Sequence, residues 1–256
     1  MKIFIIFVKL NVNIQIMKKI ISFLFTILLF QFSYTQLESP VASPRAKVTQ
    51  KVGLVNINLD YSRPSKKGRT IFGNIVPFDQ IWRTGANSGT EITFSTDVEI
   101  ADSQVSAGTY SLFTIPNEGS WEVILYNQTE LWSVPRDWDE SKIIFSSNFD
   151  ANVSTDGGSM ETFSIWIGNV TNNDCHLNIG WDDTIVKIKI DVPTRDMVEK
   201  SIISVLDGSK PKASDYYAAA VYYREENMKM DKALAWMKKF VEMTEEPRFF
   251  HLRHQF

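Results

Sequence analysis

The sequence predicts a mainly β protein: an antiparallel β-sandwich, or an open barrel, followed by a short α-helical C-terminal hairpin. Three observations carry this expectation. Roughly ten short apolar–polar runs follow one another between residues 45 and 192, at the spacing of an all-β domain. No helical periodicity separates them, so the crossover helices of a parallel sheet are missing. Beyond Pro193 the apolar period changes from two to that of a helix.

The chain begins with an export pattern. Met17-Lys18-Lys19 precedes a nearly unbroken apolar run from Ile20 to Phe32, then Ser33-Tyr34-Thr35-Gln36. A basic start, an apolar segment and small residues one and three places before a cut are the order of a secretory signal. The run is shorter than the roughly 20 residues that span a bilayer. Residues 1–35 are therefore expected to be a signal peptide with its true start at Met17, and no membrane span remains after cleavage. Residues 36–193 are expected to form the β domain, outside the cytoplasm, periplasmic or secreted.

Within that domain Val55, Ile57, Leu59 and Tyr61 alternate with polar residues, as do Ile92 and Phe94. Thr109–Ile115 and Trp121–Tyr126 flank Pro116-Asn117-Glu118-Gly119, which predicts a hairpin. Phe163, Ile165 and Ile167 alternate next, then Leu177, Ile179 and Trp181, with Asn172-Asn173-Asp174 as the turn between them. Thr184–Val192 closes the series. Thr194 is placed to cap a helix carrying Met197, Val198, Ile202, Val205 and Leu206, so that 194–213 reads as helix and linker. From Ser214, Tyr216, Ala219, Ala220 and Tyr223, then Ala233, Trp236, Met237 and Phe240, describe two amphipathic helices across 214–256. This hairpin resembles a tetratricopeptide-type repeat, though the usual Trp-Leu-Gly start is absent, and the segment from Pro247 is expected to begin a further helix cut short.

Composition excludes some classes. With 256 residues, 44% hydrophobic and 22% charged, the chain is neither fibrous nor largely disordered. A net charge of −3 argues against generic electrostatic binding to nucleic acid. One cysteine, Cys175, forbids an internal disulfide framework. The charge is uneven: residues 43–90 carry eight basic side chains against Asp60 and Asp79, whereas residues 91–256 are strongly acidic. One part of the surface is thus locally positive.

Catalytic strings such as G-x-S-x-G, H-E-x-x-H, the P-loop and G-x-G-x-x-G do not occur. His176 and Cys175 read as strand residues rather than a triad base and a nucleophile. Asp137, Asp139 and Glu140 read as a solvated acidic loop, since they lack the spaced ligands of a calcium loop. Neither a cofactor nor a metal is expected, and catalytic residues are not assigned. Trp132 and Trp138 flank Pro135, where an exposed ring could stack on a sugar or a core-facing ring could anchor the loop.

The most informative stretch is Tyr61–Asn87. It sets Arg63, Lys67, Arg69 and Arg83 among Gly68, Gly73 and Gly85, with Pro64 ending the preceding strand. Guanidinium forks suit carboxylate or phosphate oxygens. Arg63, Lys67, Arg69, Trp82, Arg83 and Asn87, joined by Tyr110, are therefore the candidate ligand-binding residues. The alternative is that the arginines pair with the acidic remainder and pin a long loop.

The motifs Ser43-Pro44-Arg45, Tyr61-Ser62-Arg63-Pro64, Lys67-Gly68-Arg69, Ile71-Phe72-Gly73, Val76-Pro77 and Trp82-Arg83-Thr84-Gly85-Ala86-Asn87 occur in order. Gly108–Pro116 and Trp121-Glu122-Val123-Ile124 follow. Together they resemble domain of unknown function 2911, a family of exported proteins chiefly from Bacteroidetes bacteria, over roughly residues 43–192. The resemblance implies secretion and a β-rich domain and carries no established reaction. The function expected is a binding module for a small anionic or carbohydrate ligand. Its rivals are a cell-envelope hydrolase using the Arg63–Asn87 loop and an interaction protein docking a partner through its C-terminal helices. Intact-mass analysis of protein exported by a bacterial host should show loss of residues through about Thr35; a mature chain that keeps Met17 contradicts the signal.

Overall fold

The computed structural model describes residues 14–23, 39–153 and 158–245. The chain divides after Val41 into two compact units. In the first, residues 14–23 form an exposed helix, α1. The cleavage point before Gln36 and the segment from Pro247 lie outside the described residues. Among the described residues no helix is long and apolar enough to cross a membrane.

Among the described residues the second unit holds eleven strands and three α-helices. The strands are β1 (Arg45–Val52), β2 (Val55–Ser62), β3 (Thr90–Phe94), β4 (Val98–Ile100), β5 (Ser103–Val105), β6 (Gly108–Pro116), β7 (Ser120–Tyr126), β8 (Ile143–Val153), β9 (Met160–Gly168), β10 (Asp174–Asp182) and β11 (Thr184–Asp191). The helices are α2 (Thr194–Leu206), α3 (Ala213–Glu225) and α4 (Met230–Glu242). Neighbours in the sheet run antiparallel in the order β1-β2-β3-β6-β7-β8-β11-β10-β9, with the β4–β5 hairpin attached to β11. Of the two architectures left open by the sequence, this is the barrel, nearly closed.

Closure comes from the chain just past β2. Pro64 has no N–H to donate, but its carbonyl accepts from the Phe163 N–H at 2.9 Å, and the Lys66 N–H donates to the Glu161 carbonyl at 2.7 Å. Ser65 faces Thr162 in an isolated antiparallel bridge between these bonds. The Tyr61 hydroxyl adds a double link from β2 to β9: it accepts from the Ile165 N–H at 3.0 Å and donates to the Ile165 carbonyl at 2.9 Å. The backbone groups at the β9 edge that would face water are thereby paired with residues about a hundred positions earlier.

Alternation decides what lies inside. Val55, Ile57, Leu59 and Tyr61 of β2 enter one core with Leu177, Ile179 and Trp181 of β10 and Val186, Ile188 and Ile190 of β11. The hairpin expected around Pro116–Gly119 is present as β6 and β7, paired from Ser111↔Tyr126 to Pro116↔Trp121. Strand β6 is buried on both faces. Tyr110 and Leu112 point into the barrel, while Phe113 points outward into a second cluster with Ile124 and Tyr126. Trp138 covers that cluster, stacked on Tyr126 at 4.4 Å and edge-on to Phe113 at 5.3 Å. It anchors its loop, whereas Trp132 is 71% exposed.

The helices join the barrel at the β1–β2 turn. Thr194 does not cap α2 with its hydroxyl, as the sequence suggests. It is the first helical residue, and its Oγ1 accepts instead from the Leu54 N–H at 3.3 Å. Gly53 sits at φ +54°, and a Cβ there would lie 1.9 Å from that same oxygen and 2.2 Å from the Asn172 carbonyl. Only glycine fits both the left-handed turn and the approach. Just past α3, Glu226 completes the joint. Its carboxylate accepts from the side-chain amides of Asn172 at 2.6 Å and Asn173 at 2.7 Å, with Arg195 at 3.8 Å.

The two asparagine hydrogen bonds and the Arg195 charge hold the Glu226 carboxyl below its ordinary range, against the opposing effect of burial. A depressed carboxyl pKa contributes stability above the unfolded value, about 4.3, and that contribution is lost as pH falls through the folded value. Glu226→Gln should therefore lower stability at pH 7 by on the order of 1 kcal/mol. Urea unfolding of both proteins at intervals from pH 7 to pH 3 should show the difference shrinking towards acid pH; a difference independent of pH contradicts the assignment.

Candidate functional site

The segment from Arg63 to Gly89 is a cap over one mouth of the barrel. Ile71 and Val76 are fully buried in the main core, and Phe72 packs on Trp121 at 4.9 Å. Trp82 wedges between strands. Its N–H donates to the Thr114 carbonyl at 2.7 Å, and its carbonyl accepts from the Thr114 N–H at 2.9 Å. Its ring meets Phe163 at 5.2 Å and lies nearly parallel to Trp181, 6.1 Å between centroids at 18°. The indole N–H, which needs a partner once buried, donates to the Gly85 carbonyl at 3.1 Å.

That bond requires the chain to reverse within three residues. Thr84 takes φ +51°, a conformation that is unusual for a β-branched residue and costs about 1–3 kcal/mol. It is completely buried and fastened: its hydroxyl lies 3.1 Å from Thr114 Oγ1, and its carbonyl accepts from Thr90 Oγ1 at 2.6 Å. Gly85 follows at φ +149°, where a Cβ would press within 3.1 Å of the Ser62 carbonyl.

Beneath this reversal lies a cleft of about 560 Å³. Trp82, Trp181, Ile75 and Val76 contribute its apolar wall, Ser43 and Ser65 its hydroxyls. The charged groups lining it are Lys67, Arg69 and Arg83, all cations. Arg83 is only partly exposed, and its Nε–H is buried without any hydrogen-bond partner among the described residues. Lys67 and Arg69 are exposed at the rim. Arg69 is folded back, its Nε donating to the Lys66 carbonyl at 2.9 Å and its Nη2 to the Ser65 carbonyl at 2.7 Å.

The structure thus brings together Lys67, Arg69, Trp82 and Arg83. The other three candidates do not line the cleft. Arg63 holds the seam of the barrel, donating from Nε to the Phe163 carbonyl at 3.2 Å and from Nη2 to Ser164 Oγ at 2.7 Å. Asn87 is exposed, at φ +56°, and its amide donates to the Ser43 carbonyl at 3.2 Å. Tyr110 lies inside the barrel with its hydroxyl donating to the Ser106 carbonyl at 2.8 Å. It is four residues along β6 from Thr114, where Trp82 docks, or about 13 Å of strand. Burial, with the nearby Asp97 charge, pushes its phenol pKa up.

Lys66, which had no assigned role, forms an ion pair with Asp182, and Ser159 Oγ donates to the same carboxylate oxygen at 2.8 Å. Burial alone would raise the Asp182 pKa; the Lys66 and Ser159 hydrogen bonds and the Lys66 charge together bring it below its ordinary value. Trp181, Ser43, Ser65 and Ile75 were missed as lining residues. Alternation marks Trp181 as core, and nothing local to β10 signals that the cap will be laid beside it.

The remaining chemical candidates take structural places. Cys175 is buried on β10, and burial first, then Asp174 and Asp191, pushes its thiol up to about 11, far from a nucleophile's range. Asp139 accepts from the Ser141 N–H at 3.0 Å and from its hydroxyl at 2.6 Å, capping a single 3-10 turn. Among the described residues no group of three or more His, Cys, Asp or Glu is arranged to hold a metal ion.

Residues 43–190 match the model of a family described as "Protein of unknown function (DUF2911)". No match to the chain was found among curated proteins or among solved structures.

The hydrogen bonds separate two classes of cation, and thermal melts should do the same. Arg63→Met leaves the Phe163 carbonyl and Ser164 without their donor and should lower the Tm by roughly 3–10 °C. Arg83→Met keeps the apolar stem, removes a buried N–H that has no partner, and should leave the Tm unchanged or raised. A large loss of Tm in Arg83→Met would mean that Arg83 is a structural residue.

Proposed function

Starting from the premise that the chain belongs to the DUF2911 family, whose description names no activity, we propose that it is an exported binding module for a small anionic or carbohydrate ligand held in the cap cleft. One observation carries the reading: every charged group lining the cleft is a cation, and the least exposed of them, Arg83, has a buried N–H with no acceptor among the described residues. A buried donor without an acceptor is costly, and an anion in the cleft that draws the guanidinium toward it would satisfy it. An apolar wall with a few convergent polar groups, on a volume of some hundreds of Å³, is the usual build of a small-molecule site. Placement on a loop fastened to a rigid barrel supports the same reading. The exported location rests on the pattern from Lys18 to Gln36.

The test is a thermal-shift screen of the full chain against small carboxylates, phosphates, sulfates and neutral sugars. At least one anion or sugar should raise the Tm, and the shift should shrink in Arg83→Ala. Loss of one charge-assisted contact costs about 1.5–3 kcal/mol, roughly ten- to a hundredfold in affinity. If no anion or sugar stabilises the wild type, the cleft is not a binding site for either.

A further inference from the structure

The barrel closes without using β1. The chain that pairs with β9 is the continuation of β2, through Pro64 and Lys66, so β1 is paired on its β2 side alone. The Arg63 N–H donates to the Pro44 carbonyl at 2.9 Å, one step before the Arg45↔Ser62 pair. In an antiparallel ladder such bonds recur at every second residue, so Ala46, Val48 and Gln50 bond to β2. Lys47 and Thr49 turn their N–H and C=O groups outward, where they have no partner among the described residues. Beyond them the Lys51 carbonyl accepts from the Gln50 side-chain amide at 2.9 Å.

We infer that this edge docks an extended acidic segment of a partner protein, added as a further strand with carboxylates at alternate positions. The outer face of β1 carries Arg45, Lys47, Thr49 and Lys51, all exposed. Arg45 and Lys47 share one acid, Asp60, and Lys51 has no ionic partner among the described residues. A carboxylate directly opposite a cation is a favourable cross-strand pair. On the other face Ala46 and Val48 pack against the main core yet stay only half-buried, so alternate apolar side chains of the added strand would extend that core. Main-chain bonds supply the affinity of such a strand, and its alternating side chains the selectivity.

Charge decides against a second copy of β1 as the occupant. Antiparallel self-pairing centred on Lys47 sets that residue against itself. Centred on Val48 it sets Arg45 opposite Lys51, and centred on Thr49 it sets Lys47 opposite Lys51. Like charges directly opposite are destabilising. Lysine on an open edge guards against this pairing, and the same cations attract a strand of opposite charge.

The experiment titrates labelled peptides with the full chain at fixed salt, read by fluorescence anisotropy, alongside sedimentation velocity of the chain alone. The probe alternates valine and glutamate and is long enough to span β1. Its controls carry lysine for glutamate, group the glutamates at one end, or are N-methylated at alternate residues along the bonded edge. The probe should bind at least about tenfold tighter than each control, and more weakly as salt rises. Thr49→Pro removes an outward N–H that the β1–β2 ladder does not use, and should weaken the probe by about tenfold while the Tm stays close to that of the wild type. If no peptide binds, or if the lysine or grouped control matches the probe, the inference fails. Binding unchanged by N-methylation or by Thr49→Pro places the acidic peptide elsewhere on the protein and overturns it. So does a dimer of the chain alone that Thr49→Pro dissolves, which makes a second copy the occupant. Should Thr49→Pro not fold, the N-methylated control on the wild-type chain decides alone.

Discussion

The interaction on which the rest of the structure depends is the burial of Trp82 in the barrel mouth. A row of strands ending in β1 and β9 leaves an edge at each end, and the end of the barrel must be stoppered against water. The chain just past β2 pairs the β9 edge, and Trp82 stoppers the mouth. Its backbone pairs with β6, while its ring rests on Phe163 of β9, Trp181 of β10 and Trp121 of β7, tying strands from distant parts of the sheet order. A buried indole needs an acceptor, and it finds one three residues on, at Gly85. Reaching it forces the left-handed Thr84, and the same reversal places Arg83 at the cleft. The position of the candidate ligand group is thus a consequence of stoppering the barrel.

The local excess of positive charge in residues 43–90 conceals a division of labour. Arg45 and Lys47 pair with Asp60, Lys66 pairs with Asp182, and Arg63 is bonded along the seam. These cations hold the barrel, as the architectural alternative expects. Among the described residues Arg83 and Lys67 have no such partners, and these two side chains, with Arg69 beside them, carry charge into the cleft. Net charge over a window cannot make this distinction, because it depends on which acids fold back onto the loop. Asp182 and Glu161 do so from about a hundred residues away.

How much was legible follows from the range of the interaction that decides each element. Strands β2, β6, β7, β9, β10 and β11 announce themselves because period-two burial is a local signal. Strand β8 does not, since Ile143–Val153 lies half exposed and splits its pairing between β7 and β11. The cap residues Lys67, Arg69, Trp82 and Arg83 were legible because glycine, proline and clustered cations are local signals too. Arg63 and Tyr110 share the residue types of a site but not its place. Arg63 is claimed by β9, and the alternation that puts Leu112 inside the barrel puts Tyr110 there with it. The hydroxyl of Thr194 fits a cap by type, yet a backbone N–H from the β1–β2 turn reaches it across the fold.

The two ends of β2 separate the candidate site from the helices. The cleft gathers beyond Ser62, whereas the helical joint gathers around the turn before Val55. Eight residues of extended strand set these about 23 Å apart, with the main core between them. Coupling between two such surfaces needs an element with two discrete arrangements that both bias. The cap residues are also held by bonds that do not involve the helices: Trp82 to Thr114, Thr84 to Thr90 and Arg63 to Ser164. The helices are held in turn by Glu226 and Thr194, which touch nothing in the cap. The cleft and the helical face are therefore two independently supported surfaces on one barrel, and changes at either should leave the other in place.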